Sequence, residues 1–218
     1  IDDADGVGCD FVVNGTNAGH TFLEDNGNLL DFIPNSGILS VVEIRFGGKS
    51  RAEAAAAADY HASIESGNAS GKKQDLDQIV SHLSRMGMTC IRAIYDEIAP
   101  NTVSVVNTAI LADGNATAIY GSAYQSYPDT QPGYLIVQFP GRPDGKYFVL
   151  DTDYVTYTAV YDCVDVGAFK LEYAWLMART NTLTAEQLAT ARAAYTQFGI
   201  DVSIFEATYQ SDSCLYIP

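Results

Sequence analysis

Basic side chains are scarce in this sequence: Lys and Arg number 12 against 27 Asp and Glu, a net charge of −15 at pH 7. Such a surface repels nucleic-acid phosphates and anionic lipid faces, which removes both from the expected partners. Long apolar runs are missing too, and none reaches the ~18 residues that a membrane-spanning helix needs. No transmembrane segment is expected. Catalytic and metal signatures are equally sparse, with no G-x-S-x-G elbow, no H-E-x-x-H helix and no C-x-x-C pair. The four cysteines, Cys9, Cys90, Cys163 and Cys214, therefore make a poor zinc site and a better set of disulfides, for which three pairings exist. The first residue is Ile1 rather than Met, which a removed secretory signal would account for.

What the chain does have is strand material. Apolar residues make up 47% and charged residues 18%, enough for a sizeable core, and 14 Tyr with 9 Phe favour sheets over helical bundles. A single domain over 1–218 suits that length. Tyr147 to Cys163 reads as a hairpin, two β-branched and aromatic runs joined by Asp151-Thr152-Asp153. Around it lies a meander: Ile38 to Phe46, Thr89 to Glu97, Thr102 to Leu111, Ala116 to Ser126, Tyr134 to Phe139, Lys146 to Leu150, Tyr157 to Cys163 and Lys170 to Ala178. Asp113-Gly114, Asp144-Gly145 and the Pro-rich Tyr127 to Gly133 segment supply turns. Eight antiparallel strands in up-and-down order can close into a barrel that holds one small ligand.

Other segments flank or interrupt the strands. Residues 1–35 are rich in Gly, Asn and Asp and read as an irregular strap. Within 49–87, the five alanines of the Arg51 to Ser66 stretch and the spacing of Leu76, Ile79, Val80, Leu83 and Met86 predict two helices inserted after the first strand. A C-terminal helix over 184–198 is predicted from Thr184 as cap, Gln187 reaching back, a shared face of Leu188, Ala191, Tyr195 and Phe198, and Gly199 as stop. Val202 to Ala207 reads as a ninth short strand. Asn14, Asn68 and Asn115 open glycosylation triplets, usable if the chain is secreted.

Three spaced words in the sequence resemble the lipocalins, in particular the apolipoprotein D group and pigment carriers of the insecticyanin and crustacyanin type. The hairpin with Thr152-Asp153-Tyr154 and its Tyr-x-Cys ending resembles the second lipocalin signature, and Tyr173 to Arg179 resembles the third. Phe32-Ile33-Pro34-Asn35 with Val42 to Arg45 resembles the first, although Leu39 and Val41 stand where the family has Gly and Trp. The resemblance implies an all-β fold: an eight-stranded antiparallel up-and-down barrel with a C-terminal α-helix, here with a helical insertion between the first two strands. It also implies the pairings Cys9 with Cys163 and Cys90 with Cys214.

If Cys90 and Cys163 are bridged to segments outside the barrel, they point outward, and alternation fixes what points inward. That phase turns Ile91, Ala93 and Tyr95 inward on one strand and Thr158, Val160 and Asp162 on another. Tyr173, Trp175, Met177 and Arg179 match inward positions of the lipocalin pattern. Leu135, Val137, Phe139, Tyr147 and Val149 extend the wall, and Val103, Val105, Ile119 and Gly121 complete it. A lining that is apolar with a few polar tips suits a small hydrophobic molecule. The ligands this implies are a carotenoid, retinoid, bilin or fatty acid, with no cofactor required and no metal. The resemblance implies an Arg179 guanidinium laid over the first-signature ring, which Val41 does not offer, so either Arg179 finds another aromatic or a carboxylate, Glu43 being nearest in sequence, or the barrel floor is packed differently.

Enzyme chemistry fits poorly. His20, His61 and His82 lie outside the barrel strands, Asp151 and Asp153 sit in a turn where carboxylates usually cap backbone, and the implied pairing leaves no free thiol. The leading expectation is a secreted, extracellular carrier rather than an enzyme. Two rival classes remain: a structural or storage protein with a filled barrel that assembles as a homo-oligomer, and a lipocalin-fold enzyme that works through Asp162.

Overall fold

The computed structural model describes residues 37–46, 87–165 and 170–216, the first of these segments as backbone alone. Nine strands follow in chain order: β1 Gly37–Phe46, β2 Thr89–Ala99, β3 Thr102–Ile110, β4 Ala116–Gln125, β5 Tyr134–Gln138, β6 Gly145–Thr152, β7 Tyr157–Asp165, β8 Lys170–Ala178 and β9 Glu206–Ala207. Helix α1, Ala185–Thr196, lies between β8 and β9. Each strand from β2 to β8 pairs antiparallel with the next. The seam is β1, whose first half pairs with β2 (Gly37↔Tyr95) and whose second half pairs with β8 (Phe46↔Tyr173). That double pairing closes eight strands into a barrel, and β9 adds to β1 at Glu43↔Ala207. The connections β1–β2, β3–β4, β5–β6 and β7–β8 all belong to one end of this up-and-down barrel, and the other hairpin turns to the opposite end.

The turns are made by residues that tolerate their geometry. Gly114 takes φ 84° at the β3–β4 tip, where the Leu111 N–H donates to the Asn115 carbonyl at 2.8 Å. In the β6–β7 turn Asp153 Oδ1 accepts from the backbone N–H groups of Val155, Thr156 and Tyr157 at 3.0, 2.6 and 3.0 Å. Burial opposes its charge, yet these donors prevail and hold the carboxyl below the usual range. Asp151 accepts from the Tyr157 hydroxyl at 2.6 Å. Both turn acids thus fold the hairpin.

Two apolar layers result, one on each face of the sheet. The inner cluster contains Ala93, Val105, Leu135, Val160 and Met177, and the outer one contains Phe148, Tyr161, Ala174 and Leu176 beneath α1. Thr184 caps α1 in the expected capping box with Gln187. Its packing face is Ala191, Ala194 and Tyr195, with Leu188 and Phe198 at the margin, and Gly199 at φ 73° ends it.

Tyr195 has a second task. A register shift in β6 at Leu150 sets Val149 against Val160 and Asp151 against Ala159. At the displaced position the Val160 N–H donates to the fully buried Tyr195 hydroxyl at 3.1 Å, and that hydroxyl donates to the Val160 carbonyl at 3.4 Å. Tyr195→Phe leaves these peptide groups buried without the hydroxyl and is expected to cost about 1–3 kcal/mol in a urea unfolding titration.

One expectation is corrected here. The predicted strand Val202 to Ala207 is a 3-10 turn over Val202–Ile204 followed by the two-residue β9. The Asp201 side chain accepts the Ser203 N–H at 2.8 Å and starts a turn that the apolar run conceals. β6 also runs beyond its predicted Lys146 to Leu150 limits, to Gly145–Thr152. The strap over 1–35, the inserted helices predicted within 49–87 up to residue 86, Cys9, Asn14 and Asn68 lie outside the described residues.

Candidate functional site

The inner face of the barrel is the candidate site, and the cysteines do set its phase. Cys90 is bonded to Cys214. It takes φ 54° and gives its N–H to the Tyr209 carbonyl at 2.8 Å, so it turns toward the C-terminal tail. Cys163 is disulfide-bonded as well, and its expected partner Cys9 lies outside the described residues. Inward of these, Ala93, Tyr95, Val103, Val105, Leu135, Val149, Val160 and Met177 form one contiguous buried cluster. Ile91, Val137, Phe139, Tyr147 and Trp175 pack against it and retain some exposure. Thr158 and Tyr173 are buried in the same phase, across the ladder from Met177 and Asp162. Ile119 and Gly121 stand opposite Asn107 and Val105. All these residues belong to the interior wall that alternation predicts.

Gly121 is there for space. A Cβ at this position would collide with the Gln138 carbonyl and the Phe139 ring, so only glycine lets β5 and that ring lie so close. Asn107 and Ala123, in phase with Val105 and Gly121, also face inward, although the apolar pattern of these strands does not single out Asn107. Period 2 alone would have found Asn107.

On four strands the inward residues are more exposed toward one end. On β2, Ile91 is part-exposed while Ala93 and Tyr95 are buried; on β4, Ile119 and Gly121 are part-exposed while Ala123 is buried. On β5, Val137 and Phe139 contrast in the same way with Leu135, and on β6 Tyr147 contrasts with Val149. In each case the more exposed residue lies toward the end that carries the β1–β2 connection. On β3 and β8 the order reverses, Ala109 and Tyr173 being buried and Asn107 and Trp175 part-exposed. At the opposite end Arg179 Nη2 donates to the Tyr154 carbonyl at 3.2 Å and Gln125 Nε2 donates to the Pro132 carbonyl at 2.8 Å, tying strand ends to turns. Arg179 thus serves the floor through a backbone carbonyl, a partner that sequence spacing does not reveal; the Glu43 side chain lies outside the described residues.

Polar groups in the interior are few. The hydroxyls of Tyr95 on β2 and Tyr147 on β6 meet at 3.2 Å, and these strands stand on opposite sides of the ring, so the pair bridges the lumen. Burial raises the pKa of both hydroxyls, that of Tyr147 strongly, which keeps them protonated as donors. The Trp175 ring stacks with Tyr147 (centroids 5.7 Å apart) and with Tyr173 (6.1 Å), making an aromatic row along the inner wall. Asp162 stands beside it. Burial pushes the Asp162 carboxyl up to about 7, against the Cys163 N–H and the Lys146 charge that favour ionisation. Asp162 Oδ1 and Thr158 Oγ1 are buried without a hydrogen-bond partner.

Among the described residues no group of three His, Cys, Asp or Glu is placed to hold a metal, and no described helix is long and apolar enough to cross a membrane. A closed antiparallel barrel with an apolar inner wall and an outer helix beside β6 and β7 defines a cup-shaped, small-molecule-binding class of fold. The chain belongs to the lipocalin family, the family model of the lipocalin-like domain matching residues 76–210. Apolipoprotein D of Macaca fascicularis is 34% identical over 125 residues, 56% of this chain and 66% of that protein, so the match spans just under two thirds of that relative. The crustacyanin-A1 subunit of Homarus gammarus is 26% identical over 128 residues, 58% of this chain and 69% of its own. Among solved structures, lobster apocrustacyanin A1 superposes with a TM-score of 0.60 at 18% identity, covering 87% of this chain and 83% of that one. Insecticyanin from Manduca sexta gives 0.58 at 17% identity, covering 87% and 84%. At such identities the superpositions speak for the fold alone.

Proposed function

We propose that this protein is a secreted lipocalin that binds a small hydrophobic molecule in its barrel and carries it without chemical change. The observation that carries this reading is the row of stacked rings on the inner wall, Tyr147, Trp175 and Tyr173, of which Tyr147 and Trp175 are part-exposed. Burying apolar ligand surface there releases roughly 25 cal/mol per Å², before the costs of immobilising the guest. Flat rings suit a flat or elongated guest such as a carotenoid, retinoid or bilin; a fatty acid would use the aliphatic residues deeper in. Secretion is supported by the oxidised state of Cys90, Cys163 and Cys214. Asn115, exposed at the tip of the β3–β4 hairpin, is the described glycosylation acceptor that a sugar could reach.

Protein from its native source, extracted with organic solvent and analysed by mass spectrometry, is expected to release a stoichiometric apolar compound. The single tryptophan of the chain, Trp175, lies on the inner wall and should lose fluorescence when retinol, a bilin or a fatty acid is added. An empty extract together with unchanged emission for every compound would overturn the carrier reading.

A further inference from the structure

The most unusual group in the interior is Asp162. It faces Tyr173 across the β7–β8 ladder, and continuing the β6–β7 register from Phe148↔Tyr161 by one residue places Tyr147 on its other side. Its second oxygen, Oδ2, lies 3.8 Å from where a Cβ on Gly145 would stand, so the missing side chain at Gly145 leaves space beside the carboxyl. Oδ1 is buried and has no hydrogen-bond partner. Among the described residues no Lys or Arg forms an ion pair or hydrogen bond with it; the charge of Lys146 acts on it from a distance.

A buried carboxylate needs a donor or a counter-charge. The Cys163 N–H and the more distant Lys146 charge favour its ionised form, yet Oδ1 is left without a donor, and the ladder neighbours of Asp162 are Tyr173 and Tyr147, residues whose ring faces favour a cation. Trp175, stacked with both Tyr147 and Tyr173, extends that surface away from the carboxyl. An anionic head group would meet the opposite: a buried acid, in a protein of net charge −15.

We propose that the guest carries an amine, whose protonated nitrogen is taken by Asp162 while its apolar body lies along Tyr147, Trp175 and Tyr173. The proposal rests on the carrier reading above and narrows its ligand class from hydrophobic molecules in general to cationic amphiphiles. The ammonium N–H groups supply the hydrogen bond that Oδ1 lacks, a charge-assisted contact stronger than a neutral one.

Dodecylamine, dodecanol and dodecanoic acid share one chain and differ in the head group, which makes them suitable probes below their aggregation concentrations. Titrated at pH 8 against the full chain, with Trp175 emission as the readout, dodecylamine is expected to bind at least tenfold more tightly than dodecanol, and dodecanoate more weakly than either. In Asp162→Asn the amine-to-alcohol ratio should collapse to about one. Should that variant fail to fold, Asp162→Ser serves the same comparison. Equal affinity of amine and alcohol, tighter binding of dodecanoate, or a ratio that survives the substitution would each overturn the amine assignment and leave the carrier reading standing. Failure of all three compounds to change Trp175 emission would overturn the carrier reading, and the amine assignment with it.

Discussion

Replacing Cys90 and Cys214 together with serine is expected to lower the free energy of unfolding by about 5 kcal/mol, the largest effect of any change to the described residues. The bond joins positions 124 residues apart. In the chain-entropy account, cutting a link of that span restores to the unfolded chain a freedom worth about that much at room temperature. The folded tail has other holds: the Cys90 N–H on the Tyr209 carbonyl, Gln210 Nε2 on the Ile91 carbonyl at 2.7 Å, and the Arg92 guanidinium 3.0 Å from the centre of the Tyr216 ring. Native contacts therefore change little, and the loss arises in the unfolded state. Both cysteines are replaced at once because a single substitution leaves a thiol able to attack the bond at Cys163. Equilibrium unfolding in guanidinium chloride measures the difference. A loss below about 1 kcal/mol would mean that the unfolded chain is already held compact without the bond.

The second large effect is a gain in stability. Asp162 has a folded-state pKa of about 7 against an ordinary value of 3.8, so the folded protein holds this proton more tightly than the unfolded chain does. The sign follows from linkage: the protonated acid favours folding at low pH, and that contribution is lost progressively as pH rises from about 4 through about 7. Asp162→Asn keeps the shape and removes the titration. The variant is expected to match the wild type near pH 4 and to exceed it above pH 8 by about 2–4 kcal/mol; the upper figure is the full shift at ~1.4 kcal/mol per pKa unit, and the lower allows for solvent near a side chain that is not fully enclosed. Thermal melts at pH 4, 6 and 8.5 test it. A difference that stays constant across that range would show that the carboxyl is solvated in the folded state.

Much of the barrel was legible because its strongest signal is local. Alternation along Tyr157 to Cys163 needs no knowledge of the partner strand, and once Cys163 points outward, Thr158, Val160 and Asp162 must point inward. Thr184 and Gln187 were readable for the same reason, since a capping box lies within four residues. What escaped depends on groups far apart in the chain. The Tyr95 and Tyr147 hydroxyls meet across the lumen from strands 52 residues apart, and Tyr195 binds the peptide of Val160, 35 residues away. Neither pairing leaves a trace in local pattern. Arg179 illustrates the same limit, because a carbonyl such as that of Tyr154 is offered by every residue and so marks none. Asn107 was missed differently: its position obeys the alternation, and its polarity hid it from a search for apolar walls.

The seam at β1 bears on the order in which the molecule can be built. Every pairing from β2 to β8 joins neighbours in sequence, and such hairpins form early because little chain must be gathered. β1 meets β8 across more than a hundred residues, with Ser40 beside Ala178. A chain emerging from the ribosome therefore carries β1 unzipped along that side until synthesis has passed Ala178. Through that interval the unpaired ribbon is a natural place for a chaperone to hold, and for two immature copies to stick together.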